Sequence, residues 1–271
     1  MTLHTETVRY GSRSEFSAYV ARDPRVTTPM PAVVVFQEAW GVDAHIEDVT
    51  RRFAQAGYVA VAPDMFAKDG VRPAPLTQER LVELTGFVNE MPMGTAFDPQ
   101  KRAEALASRD AAFRARIEES LGAIMGGMNL AAYVPQLLAT TKFLRTDFAP
   151  TRGKGIGSVG FCMGGGLSAL LASHDPDLKG AIIFYGSPPP DDRVEHIRCP
   201  MMGFYGSKDA RVMGTLPVFV EKMKSAGKRF ESHVYEGAEH AFFNDARPVF
   251  NVDATRDSFA RTCTFFASVL A

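Results

Sequence analysis

The sequence predicts an α/β fold: a mostly parallel central sheet flanked by helices, with an antiparallel hairpin at its N-terminal edge. Three observations predict it. Ala32-Val33-Val34-Val35-Phe36 is a continuous, β-branched apolar run of the kind found in strands buried on both faces. Short apolar strands alternate with helical stretches along most of the chain, which argues for crossover units and a parallel sheet. Ser158-Val159-Gly160-Phe161-Cys162-Met163-Gly164-Gly165-Gly166 has the form of a buried strand that turns sharply into a helix, with a thiol at the turn.

In chain order, residues 5–10 and 15–20 alternate apolar and polar side chains around Gly11-Ser12-Arg13, which predicts the hairpin. The turn-rich segment 23–31 leads to the strand at 32–36, and the loop after it, Gln37-Glu38-Ala39-Trp40-Gly41, is expected to face a ligand. Ile46, Val49, Phe53 and Ala54 are spaced for a helix over 45–56 that stops at Gly57. The next strand lies at 58–62. Between 66 and 129 the pattern changes to Pro-rich loops and charged helical stretches, including 78–89 and 99–121, with no obvious strand. We therefore expect one domain spanning 1–271 in which about 66–129 forms a lid-like excursion over one end of the sheet. Arg102, Arg109, Arg114 and Arg116 run through it beside Glu104, Asp110, Glu118 and Glu119, a pattern that favours a charge-laced solvated face over an anion-binding patch. A core-facing helix over 130–143 precedes the central strand at 155–161. Strands at 180–185, 201–205 and 230–235, with helices at 216–226 and 252–270, complete the pattern.

Composition bounds the function. A hydrophobic fraction of 46%, a charged fraction of 23% and a formal net charge of −1 are ordinary for a globular protein and leave no electrostatic footprint for nucleic acid or a membrane surface. The N-terminal MTLHTETVRYGS has no apolar signal-peptide core, and no apolar run is long enough to span a bilayer. Cys162, Cys199 and Cys263 are too few and too scattered for a disulfide framework or a zinc site. These features predict a cytoplasmic monomer or small homo-oligomer acting on a small molecule, without metal or cofactor.

Cys162 is the candidate nucleophile. In the G-x-C-x-G arrangement, Gly160 and Gly164 occupy places where a side chain would crowd the turn, and the helix that follows puts its unpaired N–H groups near the sulfur. Read alone, the motif is also compatible with a cysteine that merely packs. A catalytic thiol needs a base and a third group to orient that base. Asp209 follows the strand at 201–205 in Tyr-Gly-Ser-Lys-Asp, and His240 follows the strand at 230–235 in Gly237-Ala238-Glu239-His240. Asp209 taken singly could be a turn residue or helix cap, and His240 a surface histidine. Ligands in open parallel sheets bind beyond the carboxyl ends of the strands, so the three groups are expected to converge. Their order, nucleophile then acid then histidine, is that of the α/β-hydrolases.

At these residues the chain resembles the dienelactone hydrolase (carboxymethylenebutenolidase) family, the thiol-bearing branch of the α/β-hydrolase fold. The resemblance covers nearly the whole length and rests on Gln37-Glu38-Ala39-Trp40-Gly41, Gly160-Phe161-Cys162-Met163-Gly164-Gly165, Tyr185-Gly186, Gly206-Ser207-Lys208-Asp209 and Gly237-Ala238-Glu239-His240. It implies hydrolysis of a carboxylic ester or enol lactone, with Cys162 attacking, His240 as base and Asp209 orienting it. Backbone N–H groups of Met163 and Ala39 would form the oxyanion hole, and Glu38 would point toward the thiol and modulate it. The read-across departs at the substrate grip. Family members acting on carboxylated dienelactones use two arginines; at one of those positions this chain has Asn244, and an ungapped reading of the other lands on Ala105. An amide does not replace a guanidinium, so the pocket is expected to rely on Trp40, Tyr185, Phe242 and Asn244. Three alternatives stay open on sequence alone: a broad thiol esterase of non-carboxylated substrates, an amidotransferase-like or peptidase-like thiol enzyme, and a non-catalytic binding member of the fold. The second is disfavoured by Phe242, where that class carries a glutamate two residues after histidine.

Overall fold

The N-terminal hairpin forms between β1 (His4–Tyr10) and β2 (Phe16–Arg22), paired antiparallel from His4 opposite Arg22 to Tyr10 opposite Phe16, in a computed structural model that describes residues 2–92 and 94–271. Next come β3 (Ala32–Phe36), α1 (Ala44–Gln55) and β4 (Val59–Pro63). Asp43 starts α1 by accepting a hydrogen bond from the Ile46 N–H at 2.9 Å, which satisfies one of the donors a helix leaves free at its first turn. β2 lies antiparallel to β4, and β4 lies parallel to β3.

The segment after β4 contributes α2 (Gln78–Asn89), α3 (Pro99–Leu106) and α4 (Ala111–Gly126), with no sheet strand among the described residues. The single helical stretch expected over 99–121 is thus two helices. Asp110 breaks it, because its carboxylate accepts from the Phe113 N–H at 2.8 Å and caps a new helix. The arginines of this segment are bound internally: Arg102 to Glu118 at 2.9 Å, Arg116 to Glu83 at 2.6 Å, and Arg109 to Glu90. Arg114 is exposed. The charge-laced reading is the one the geometry favours.

α5 (Val134–Thr146) starts four residues later than the sequence pattern predicts, behind a short 3-10 turn at Leu130–Tyr133, because Pro135 suits the first turn of a helix and not its interior. The remaining elements are β5 (Ile156–Phe161), α6 (Met163–His174), β6 (Gly180–Phe184), β7 (Met201–Gly206), α7 (Ala210–Met213), α8 (Leu216–Ser225), β8 (Phe230–Tyr235) and α9 (Val252–Val269). Strand order across the sheet is β1-β2-β4-β3-β5-β6-β7-β8, with every pairing from β4 to β8 parallel.

Two apolar layers cover the faces of this sheet. Ala32, Val34 and Phe36 join one, with Leu137 and Leu144 of α5 and Leu167 and Leu171 of α6. Val33 and Val35 join the other, with Ile46, Val49 and Phe53 of α1 and Phe266 from α9. All five β3 residues are therefore fully buried, which is why the run is apolar throughout and does not alternate. Each large side chain so buried stabilises the fold by about 1.5–3 kcal/mol relative to leaving it in water. The order in which strands are added across the sheet reverses between β3 and β5: β4 lies to one side and β6 to β8 to the other. Crevices at such switch points, outside the carboxyl ends of the strands, are where ligands bind in open α/β sheets.

No single helix among the described residues is long and apolar enough to cross a membrane, and no cluster of His, Cys, Asp and Glu among them could hold a metal ion.

Candidate active site

Cys162 stands at the turn between β5 and α6 with φ 54° and ψ −113°, a left-handed conformation that a residue with a side chain adopts only under strain. Its N–H is held by the Phe184 carbonyl at 3.0 Å. The flanking glycines are required by contact. A Cβ on Gly160 would lie 1.8 Å from the Gly164 carbonyl oxygen, and a Cβ on Gly164 would lie 2.3 Å from that of Phe36. So α6 runs directly against the end of β3, and its first residues, glycine-rich and poor in intrinsic helix propensity, are held by burial. Tyr185 (φ 39°) after β6 and Ala241 (φ 64°) after β8 share the left-handed conformation. Three strained residues thus sit beyond three parallel strands at one end of the sheet.

β7 and β8 bring acid and histidine together through their following loops. The Lys208 N–H donates to the Ala238 carbonyl at 3.0 Å, the Gly237 N–H donates to the Ser207 hydroxyl at 2.8 Å, and a Cβ on Gly206 would strike the Ala238 oxygen at 2.4 Å. Asp209 makes two contacts there. Its Oδ1 accepts from the Val212 N–H at 3.4 Å at the start of α7, and its Oδ2 bonds His240 Nδ1. Nε2 of the ring is left unbonded to the acid, and the charge of Cys162 bears on the imidazole. The imidazole also packs against the Tyr185 ring, with centroids 5.1 Å apart.

Burial of His240 opposes its protonation, but the Cys162 sulfur and the Asp209 carboxylate together outweigh burial and raise it from 6.5 to about 10. Burial likewise pushes Asp209 up, and the hydrogen bond and charge of His240 bring it below the ordinary aspartate value. For the histidine, whose folded value is raised, the contribution to stability is complete below about pH 6.5 and is lost as pH rises through about 10. We expect the His240 ring to stay protonated through neutral pH in an NMR titration and to lose its proton at a clearly lower pH in Cys162→Ala. A ring that titrates near 6.5 in both proteins would contradict this.

The loop after β3 carries Glu38. Its Oε1 accepts from the Tyr185 hydroxyl at 3.1 Å and its Oε2 from the Asn244 side-chain amide at 2.7 Å. Burial, with the negative charge of Glu38 beside it, pushes the Tyr185 hydroxyl well above its ordinary range. Asn244 was expected to touch substrate; it is buried and committed to Glu38 and, through Oδ1, to the Ala246 N–H at 3.0 Å. Phe242 was expected on the pocket wall, but its ring is fully buried behind Tyr185, with centroids 5.3 Å apart. Trp40 lies in the Glu38 loop with the Arg247 guanidinium carbon 5.4 Å above its ring. Among the described residues neither the Ala39 nor the Met163 N–H has a protein acceptor.

Two residues of this region were not evident from sequence. Arg72 ties the loop down: Nη2 donates to the Val42 carbonyl at 3.0 Å, Nε to Asp64 at 2.6 Å and Nη1 to Gln78 at 3.0 Å. Arg247 is the other. Neither follows a recognisable motif, and both are placed by contacts with residues far away in the chain.

The dienelactone hydrolase family model matches residues 16–270. A protein of Saccharolobus solfataricus named “Putative carboxymethylenebutenolidase” is 30% identical over 243 residues, covering 89% of this chain and 90% of the relative. A crystal structure from Klebsiella pneumoniae, titled in the same provisional terms as a dienelactone hydrolase, is 26% identical, covers 98% of this chain and 99% of that one, and superposes with a TM-score of 0.65. A dienelactone hydrolase-like promiscuous phosphotriesterase from metagenomic libraries, 18% identical with full coverage of both chains, has the same fold at a TM-score of 0.67. With nearly all of its length matched by the family model, on an eight-stranded sheet whose carboxyl end gathers a thiol, an imidazole and a carboxylate, this chain is a hydrolase that belongs to the dienelactone hydrolase family.

Proposed function

We propose that the chain hydrolyses a carboxylic ester or enol lactone, dienelactone-like in its chemistry, by way of a thioester on Cys162. The observation that supports this reading is the contact of His240 Nδ1 with the Asp209 carboxylate, with Cys162 at the β5–α6 turn near enough for its charge to favour the protonated ring. With the proton on His240, the sulfur attacks the substrate carbonyl carbon as a thiolate. The oxyanion that forms is received by the N–H groups of Met163 and Ala39, which are preorganised and cost no rearrangement in the transition state. The tetrahedral species collapses, the carbon–oxygen bond breaks, and His240 gives its proton to the departing alcohol or enol oxygen. Water then attacks the thioester while His240 takes its proton. Collapse of the second tetrahedral species returns the sulfur to the ion pair and releases the acid.

Glu38 modulates the thiol from the loop that also supplies Ala39, and Asn244 with Tyr185 fixes its two oxygens. We read the chain as one domain in which 66–129 covers the active end of the sheet: Arg72 of that segment is bonded directly to the loop after β3. Trp40 lines the substrate space.

Asp209→Asn tests the array without removing the nucleophile. The amide keeps the shape but presents neither the charge nor the acceptor pair that orients the imidazole. We expect kcat on 4-nitrophenyl butyrate to fall by about 10²–10⁴ with KM little changed. Steady-state kinetics check this, and a variant within about threefold of wild type would remove Asp209 from the mechanism.

A further inference from the structure

The sheet ends at β8, which pairs with β7 alone among the described residues and so leaves one strand edge bare. Two bonds show which residues face that edge: the Met201 N–H donates to the Arg229 carbonyl at 2.9 Å, and the Ser207 N–H to the Tyr235 carbonyl at 3.0 Å. Successive residues of a strand turn their backbone groups to alternate sides. Arg229, Glu231, His233 and Tyr235 therefore serve β7, while Phe230, Ser232 and Val234 turn their N–H and carbonyl groups outward. A bare edge is a template for another strand unless proline, a bulge or charge blunts it. Residues 228–236 contain no proline or glycine, the register with β7 is unbroken from Phe230 to Tyr235, and none of the three outward residues is charged.

This segment lies between two glycines of left-handed conformation, Gly227 and Gly237, and it is complementary to itself about Ser232. If Ser232 stands opposite Ser232 of a second copy in an antiparallel pair, Lys228 faces Glu236 of that copy, Glu231 faces His233 and Phe230 faces Val234, and symmetry makes each contact twice. Lys228 and Glu236 have no ion pair within their own chain among the described residues. Glu231 and His233 already meet within one strand at 2.8 Å, and the same two groups meet again across the axis. On the other face of the strand, Phe230 stacks on Phe219 of α8 with centroids 4.7 Å apart and borders a groove with Val220 and Met223. Val234 is 45% exposed, and the pairing carries it to the partner's Phe230. Sliding the pair by one ladder step puts Glu231 opposite Glu231 in one direction and His233 opposite His233 in the other, so the complementarity selects a single register.

We propose that β8 pairs antiparallel with β8 of a second copy of this chain, about a two-fold axis at Ser232, so that one continuous sheet runs through a homodimer. Phe230, Ser232 and Val234 supply the ladder hydrogen bonds, and the charged pair at each end fixes the register. The interface uses no residue of the Cys162, His240 and Asp209 array, so it stands or falls apart from the hydrolase reading.

Sedimentation velocity over a dilution series tests the pairing, with circular dichroism to confirm that each variant is folded. Wild type is expected to be a dimer at micromolar concentration that dissociates on dilution. Lys228→Glu places carboxylates opposite each other at both ends and should weaken the dimer by about tenfold or more, and Lys228→Glu combined with Glu236→Lys should restore it. Oxidation reads the register directly. Directly opposed residues of a hydrogen-bonded antiparallel pair have Cα atoms about 5.5 Å apart, within disulfide reach, so Ser232→Cys should crosslink two chains on a non-reducing gel and Val234→Cys should not. Wild type that stays monomeric up to about 100 μM overturns the proposal. So does a dimer that Lys228→Glu leaves unchanged, a double variant as weak as the single one, or Ser232→Cys that crosslinks no more than Val234→Cys.

Discussion

Cys162→Ala is expected to abolish turnover of 4-nitrophenyl butyrate, with kcat falling by about 10⁴ or more, while the protein stays folded. The reason lies in the division of labour at the site. The Met163 and Ala39 N–H groups and the imidazole remain, but no atom is left to form the covalent bond, and water would have to attack the ester directly from a site shaped for a sulfur at the tip of the elbow. The fold should tolerate the change. Cys162 is only half-buried, and its φ of 54° strains alanine about as much as cysteine. The check is a steady-state assay beside a thermal melt of the same preparation. Turnover within tenfold of wild type in the folded variant would show that the thiol is not the nucleophile.

Gly160→Ala is expected to act on stability, and severely. The added methyl would be placed 1.8 Å from the Gly164 oxygen and 2.2 Å from its carbonyl carbon, both backbone atoms. Neither side has room to give. β5 is a fully buried central strand, hydrogen-bonded to β3 and β6, and Gly164 already abuts the Phe36 and Gln37 carbonyls. Relief would require moving α6 off the sheet, taking with it the layer of Leu167 and Leu171. A loss of about 4 kcal/mol or more follows, beyond the range of ordinary overpacking, and on a domain of this size such losses leave little folded protein. Urea unfolding measures it. A midpoint indistinguishable from wild type would show that strand and helix are farther apart than described.

The fold was legible where burial and turn chemistry agree. β3 and β8 fall where their residue patterns put them, α2 likewise, and the carboxyl ends that carry Cys162, Asp209 and His240 could be located because Cys162 follows β5 directly and Asp209 and His240 lie in the loops just after β7 and β8. The break between α3 and α4 was not legible, because Ala107-Ser108-Arg109-Asp110 contains no glycine or proline, and only the hydrogen bond from Phe113 to Asp110 marks it as a cap. The glycines at the start of α6 have little helix propensity of their own, and their helical conformation is imposed by packing against the ends of β3 and β6. Within the site the gaps have a common cause. Asn244 holding Glu38, Phe242 lying behind Tyr185, and Arg247 stacking on Trp40 are contacts between residues scattered along the chain, and no local pattern encodes them.

The most direct test of the account is to catch the acylated protein. Wild-type enzyme mixed with excess 4-nitrophenyl butyrate and acid-quenched within the first turnover should carry one butyryl group, and peptide mass mapping should locate it on Cys162, with none on Cys199 or Cys263. Full turnover with no acyl group on Cys162 at any quench time, or an acyl group on another residue, would contradict the account.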